Sequence, residues 1–247
     1  MKTFKTMLKI ELKLSLRGMD MFIFAICLPV VMVILLGFIY GDRPAFSGAE
    51  YTFFEQSFGA LATISICAGG VMGLPLLISD YRHRKILKRF QVTPVSPSRI
   101  LMVHIGIYAI YAIVSVILIY IISAIFFGYR MEGSLVWFAV TYLLVMLSMF
   151  SIGMVVGGLA PDQKTAGIAA SILYFPMLIF SGATLPYEVM PEVFQKIANV
   201  LPLTQGIKLL KIVSLGEPAA LGIVPMVFLT VLLVLCSGIA VRFFRWE

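Results

Sequence analysis

Residues 80–100 read D-Y-R-H-R-K-I-L-K-R-F-Q-V-T-P-V-S-P-S-R-I, the longest strongly polar break between two hydrophobic runs. Six cations fall within it: Arg82, Arg84, Lys85, Lys88, Arg89 and Arg99. So basic a segment stands out in a chain that is 61% hydrophobic and only 13% charged. A soluble fold of 247 residues could not cover itself with so little polar surface, whereas lipid can act as its solvent. The formal charge of +7 does not point to nucleic acid, because the cations cluster beside hydrophobic runs, where they orient a membrane protein. The stretch 80–100 reads as a polar loop between two spans.

Outward from this loop, six apolar runs are long enough to cross a bilayer: 21–40, 58–79, 101–127, 135–160, 166–185 and 219–241. About 20 residues at a rise of ~1.5 Å each cover a hydrocarbon core of ~30 Å. Pro29 is expected to kink the first run, and Pro176 lies inside the fifth. The second contains Gly69, Gly70, Gly73 and Pro75. Residues 1–17 hold too many charges to span. On a helical wheel Lys2, Lys5, Lys9, Lys13 and Arg17 share one arc, with Phe4, Met7, Leu8, Ile10, Leu12 and Leu14 on the other. That is a helix lying in the membrane interface, over 1–19. Glu11 lands in its apolar arc and is expected to turn toward water at the helix edge; pairing with a basic side chain of 80–100 or of a partner is the alternative.

Six spans place both ends on one side. That side holds five cations in the N-terminal helix, six in 80–100, Lys164, Arg242 and Arg245, fourteen against five opposite. The excess puts both termini in the cytoplasm and the proline-punctuated segment 186–218 outside. No cleavable signal peptide is expected, since the first apolar run is too long and lacks a small-residue cleavage site. Cys27, Cys67 and Cys236 lie inside apolar runs without a CxxC or a neighbouring histidine, and read as small hydrophobes, neither disulfides nor metal ligands.

The spans lack a chemical engine. Apart from cysteine and tyrosine their one ionisable residue is His104, a turn from the basic loop, expected to be a satisfied interfacial group and no proton relay. Ion-coupled transporters place carboxylates or cations within the bilayer. There is no phosphate loop, no H-E-x-x-H and no aspartate pair, so the chain is expected to be non-catalytic and to take energy from another subunit. Gly153 and Gly157 form a G-x-x-x-G in the fourth span, a spacing that permits close helix contact within one subunit or between two.

Two stretches carry a family resemblance. Leu87-Lys88-Arg89-Phe90-Gln91-Val92-Thr93-Pro94-Val95-Ser96 resembles the first cytoplasmic loop of ABC-2-type transporter permeases, with Asp80 at the acidic position that precedes it there. Ser181-Gly182-Ala183-Thr184-Leu185-Pro186, then Pro191, then Leu201-Pro202-Leu203-Thr204, resembles that family's segment between its last two spans. The chain departs from the pattern at His83, Arg84, Lys85 and Ile86, where the family often has a small residue and Thr. It departs again at Val103-His104, where Gly-Lys is common.

The resemblance implies an all-α polytopic membrane protein, one transmembrane domain over 1–247, in a bacterial plasma membrane. It implies an interfacial N-terminal helix, a cytoplasmic coupling helix and extracellular re-entrant helices. The implied role is the permease subunit of an ATP-binding cassette exporter, with a second permease copy or a related permease and a pair of separate ATPase subunits. ATP and Mg²⁺ would reside in those partners and no cofactor or metal in this chain. Coupling falls to Arg84, Lys85, Leu87, Arg89, Phe90, Thr93 and Pro94, and an outer gate to Gly182, Pro186, Pro191 and Pro202. Proline at 94 prevents the helix from continuing through 93. Ile86, Leu87 and Phe90 give this short helix an apolar ridge, with Arg82, Lys85 and Arg89 elsewhere on it. A lipid-surface helix with orienting charges is the plainer reading of the same stretch. For 186–202, an amphipathic surface loop is the plainer alternative to a gate. Lys208 and Lys211 are expected to be solvated, with phosphate headgroups as the other option. The expected cargo is a drug, antibiotic, antimicrobial peptide or lipid-like amphiphile, which would make the protein a resistance determinant. A sensor or immunity protein that binds a toxic peptide, or an ATP-independent channel, are the readings from other classes.

Overall fold

The computed structural model describes residues 2–40, 43–44, 51–86, 97–182 and 190–243. Regular structure among them is helical, with one isolated bridge between Pro44 and Thr52. The N-terminal helix α1 (Lys2–Gly18) turns Phe4, Met7, Leu8 and Leu12 onto the core. Ile10 and Leu14, on the same arc, stay exposed. Then come α2 (Ile23–Tyr40), α3 (Phe53–His83), α4 (Pro97–Phe127), α5 (Leu135–Leu159) and α6 (Gln163–Phe180). Two shorter helices, α7 (Glu192–Val200) and α8 (Pro202–Ser214), precede α9 (Ala219–Phe243). Among the described residues six helices, α2 to α6 and α9, are long and apolar enough to cross a membrane. The protein is a polytopic, all-α membrane protein.

Several span boundaries differ from those read in the sequence, and two of them have a clear local reason. Hydropathy starts the second span at 58, yet α3 starts at Phe53 because Thr52 and Glu55 form a capping box. Thr52 Oγ1 accepts from the Glu55 N–H at 3.1 Å, and Glu55 Oε2 accepts from the Thr52 N–H at 2.7 Å. The fifth span, expected to run to 185, ends as α6 at Phe180. Gly182 follows with φ +94°, a conformation that stops a helix and that glycine adopts without strain.

The first two spans also share a defect with one cause. In α2 the Leu28 N–H bonds the Ile23 carbonyl, and in α3 the Leu74 N–H bonds the Gly69 carbonyl, so each helix widens to a π-turn. Each π-turn sits just before a proline, Pro29 and Pro75. A proline ring crowds the carbonyl four residues back, and a wider turn relieves it. The two π-turns touch.

Helix α3 is the spine, in contact with α2, α4, α5, α6 and α8. Its Phe58, Leu61, Ile64, Leu74 and Ile78 are fully buried. The closest crossing is with α5: a Cβ on Gly153 would overlap the Gly70 carbonyl oxygen, and one on Gly157 would come within 2.9 Å of Pro75 Cα. Gly153 and Gly157 thus meet α3 of their own chain. Helix α8 is sunk among α3, α5 and α9, with Leu203, Thr204, Ile207, Leu209 and Leu210 buried. It is no surface loop. The preceding α7 does expose Val193, Phe194, Ile197 and Val200.

Candidate functional site

Alternating spans give the bundle two ends. One, here the near end, gathers α1, the last turn of α3, the first turn of α4 and the junction of α5 with α6. The far end gathers the first turn of α3, the end of α6, α7, α8 and the start of α9.

At the near end α3 runs on past residue 79, carrying Asp80, Tyr81 and Arg82 as part of the span. The helix stops at His83, and Lys85 takes a left-handed φ of 56°. Arg84 Nε pairs with Asp80 Oδ1 at 2.8 Å, one turn back, with most of the arginine in solvent. Arg84 and Lys85 are the coupling residues among the described residues. Leu87, Arg89, Phe90, Thr93 and Pro94 lie outside them.

Arg82 corrects the sequence reading. Expected on the short coupling helix among solvated charges, it is buried at the end of α3, and its Nη1 donates to the Gly158 carbonyl at 2.9 Å. Gly158 belongs to the last turn of α5, where carbonyls lack helical partners and the helix dipole is negative. A cation supplied there by another helix caps α5. Its sequence signal was faint: a cation directly following a span, opposite a Gly-Gly pair at a span's end.

Glu11 also departs from expectation. It turns inward, half-buried, with Oε2 3.9 Å from His104 Nε2. Burial pushes its carboxyl above the ordinary 4.5. His104 Nε2 shares a hydrogen bond of 3.0 Å with Tyr81 Oη, and the two rings meet edge-on at 5.1 Å. Beside them Ser15 Oγ lies 2.9 Å from Tyr111 Oη. Glu11, Ser15, Tyr81 and His104 line a cavity of about 240 Å³ between α1, α3 and α4. This polar seam fastens the N-terminal helix to the first and last turns around the basic loop. His104 is a bonded interfacial residue, as the sequence suggests, but its neighbour is a carboxylate of α1 that wheel analysis sent to water. Nearby, Asp162 caps α6, Oδ1 accepting from the Thr165 N–H at 2.8 Å, and that bond holds its carboxyl below the usual range.

At the far end Gly182 follows α6, Pro191 precedes α7, and Pro202 opens α8, where a missing N–H costs nothing. Pro186 lies outside the described residues. Phe180 and Phe194 stack at 5.4 Å, tying α7 to the end of α6. Gly133 in the α4–α5 connection donates its N–H to the Ser214 carbonyl at 3.2 Å and so holds the end of α8. Behind these lies a cavity of about 350 Å³ reached by Gln56, Ser181, Gly182, Thr204, Lys208 and Lys211. Of the three described gate residues Gly182 lines that cavity, while Pro191 and Pro202 mark the starts of α7 and α8.

Among the described residues no group of histidine, cysteine or carboxylate side chains could hold a metal. Cys67 is fully buried in the core, and Cys27 and Cys236 are half-buried.

A family model described as ABC-2 type transporter matches residues 2–215. The chain belongs to the ABC-2 type transporter family. Members of this family are membrane subunits of transporters, and permeases of this family generally work with an ATP-binding cassette ATPase. Nodulation protein J of Rhizobium leguminosarum bv. viciae is 38% identical over 95 residues, 36% of this chain and 37% of that protein. Nodulation protein J of Neorhizobium galegae is 33% identical over 91 residues, 37% of this chain and 35% of that protein. Inner membrane transport permease YhhJ of Escherichia coli (strain K12) is 26% identical over 135 residues, 54% of this chain and 36% of that protein. The chain spans little more than a third of the length of these curated relatives. Helix α9 lies beyond the family match but packs on α5 and α8, within the same bundle.

Proposed function

We propose that this protein is the permease of an ATP-driven exporter in a bacterial plasma membrane, moving an amphipathic compound such as a drug, antibiotic, antimicrobial peptide or lipid-like molecule. The whole chain forms one transmembrane domain, with both termini and residues 80–100 in the cytoplasm. Two permeases, two copies or this chain with a related one, join a pair of ATPase subunits that hold ATP and Mg²⁺; this chain holds no cofactor. Membership of the ABC-2 family over residues 2–215 is the observation that carries this reading. A relative named inner membrane transport permease supports it.

The geometry suits force entering at the near end. Residues 84–96 leave a helix that is the spine of the bundle, so a push on Arg84, Lys85, Leu87, Arg89, Phe90, Thr93 or Pro94 is delivered to α3. From α3 it passes to α5 through Arg82 and Gly158, and to α1 through Tyr81, His104 and Glu11. At the other end of the same helix, Gln56 faces the cavity that Gly182 lines, with Pro186 and Pro191 following in sequence and Pro202 opening the α8 wall. Movement of α3 against α8 is how the gate opens in this reading.

The test is co-purification. Arg89→Glu with Phe90→Ala should abolish recovery of the ATPase with the permease while the chain still inserts. Undiminished recovery removes the coupling role of the loop. Gly182→Leu should reduce export with the ATPase still bound, and normal export removes the gate.

A further inference from the structure

The cavity at the far end has a chemistry that the family assignment does not use. Its walls come from three sources: Gln56 of α3, Ser181 after α6, and Thr204, Lys208 and Lys211 of α8. Thr204 is fully buried, and its Oγ1 has no hydrogen-bond partner. A buried hydroxyl left unbonded is unfavourable unless something in the cavity completes it. Among the described lining residues two ammonium-bearing chains face one carboxylate, Glu217. Lys208 Nζ donates to Asn199 Oδ1, a neutral amide, and Lys211 Nζ lies 5.4 Å over the Tyr51 ring.

Depth points the same way. Helix α3 has 31 residues, and at ~1.5 Å each it overruns a ~30 Å hydrocarbon core. Gln56, in its first turn, therefore stands at headgroup level. Trp137 and Tyr40, exposed at the far ends of α5 and α2, mark the same interface. The remaining wall is apolar: Leu221 and Pro225 of α9 line the cavity, and Phe228 and Leu232 continue the same face along that helix. A cationic, hydroxyl-bearing chamber at headgroup depth that opens onto an apolar strip fits an amphiphile with an acidic head.

The geometry points to a binding site for the anionic phosphate headgroup of a single amphiphile, held by Lys208, Lys211 and Thr204, with its acyl tail along α9. The sequence alone leaves these lysines to solvent; the buried hydroxyl and the apolar strip beside them change that reading. The site holds in either leaflet and does not depend on transport.

The full chain is reconstituted in phosphatidylcholine nanodiscs containing phosphatidylglycerol, and lipids retained after release are measured by native mass spectrometry. Phosphatidylglycerol should be retained in preference to phosphatidylcholine, whose choline cation the lysines repel. Lys208→Gln with Lys211→Gln should lower that retention about tenfold, the loss expected for a charge-assisted contact. Lys208→Arg with Lys211→Arg should keep it, and Thr204→Val, nearly isosteric, should lower it by a smaller factor. Equal retention of the two lipids by the unaltered chain overturns the site, as does undiminished retention in the glutamine variant. Displacement of phosphatidylglycerol by inorganic phosphate at equal concentration assigns the site to the free anion and overturns the amphiphile. If the glutamine variant fails to fold, Thr204→Val and the lipid preference of the unaltered chain decide the matter.

Discussion

Helices α3 and α9 are both apolar, and both are long enough to cross a membrane, yet their surroundings are opposite. In its most apolar stretch α3 is 78% buried and α9 only 17%. Helix α9 turns Val224, Val231, Val234 and Leu235 outward, while α3 hides even Thr63 and Ser65. In lipid no hydrophobic force pushes one apolar helix toward another, so close packing and hydrogen bonds decide which goes inside. The residues that do this on α3 are small: Gly69, Gly70 and Gly73 let α5 and α4 approach its backbone. Helix α9 keeps Gly238, but nothing lies within 4 Å of where its Cβ would be. Glycine is informative by what it touches, and hydropathy does not see that.

The largest break in this comparison comes from the α3–α5 crossing. In Gly153→Leu the new side chain meets the Gly70 carbonyl, which belongs to a backbone that cannot move aside. Overpacking of a close-packed site costs about 1–3 kcal/mol, and backbone overlap puts this variant at the upper end. A marked drop in thermal midpoint or in folded yield in detergent is the expected result. Gly238→Leu on α9 should change neither. Equal effects at the two glycines would show that the crossing is looser than its geometry.

Arg82 comes next. Arg82→Met keeps the length and apolar stem of the side chain but loses the charge-assisted bond to Gly158. Hydrogen bonds from charged groups are worth about 1.5–3 kcal/mol. Unfolding by denaturant should register that loss, while Arg17→Met, at the exposed end of α1, should stay within about 0.5 kcal/mol. Similar losses at both arginines would return Arg82 to the class of orienting charges.

That arginine also shows where sequence reading succeeds and where it stops. The six spans and the amphipathic α1 are legible because each rests on composition and period, properties of a single segment. The capping box at Thr52 was readable on the same terms, as T-x-x-E before an apolar run, but hydropathy drew the eye to Phe58 instead. What no single segment encodes is which neighbour it meets. Arg82 looks like any other loop cation until α5 brings Gly158 beside it. Glu11 looks misplaced on the wheel until α4 presents His104. The polar chamber at the far end draws on α3, α6 and α8, stretches far apart in the chain. Each contributes one to three ordinary polar residues there.

The smallest effect tests a place where α9 is held by a specific bond. Ser148 Oγ on α5 lies 2.8 Å from the Leu144 carbonyl of its own helix and 3.0 Å from the Leu229 carbonyl of α9. Because the hydroxyl has a partner within α5, losing α9 does not leave it bare. The net value of the tie is therefore close to the average interhelical hydrogen bond in a membrane, about 0.6 kcal/mol. Ser148→Ala should lower stability in a detergent-denaturant titration by about that much. Thr230→Ala, whose hydroxyl bonds only the Met226 carbonyl on the exposed side of α9, should lower it less. If the threonine costs as much as the serine, the bond to Leu229 contributes nothing. Helix α9 would then be kept in place by packing against α5 and α8 alone, and the contrast with α3 would be one of degree.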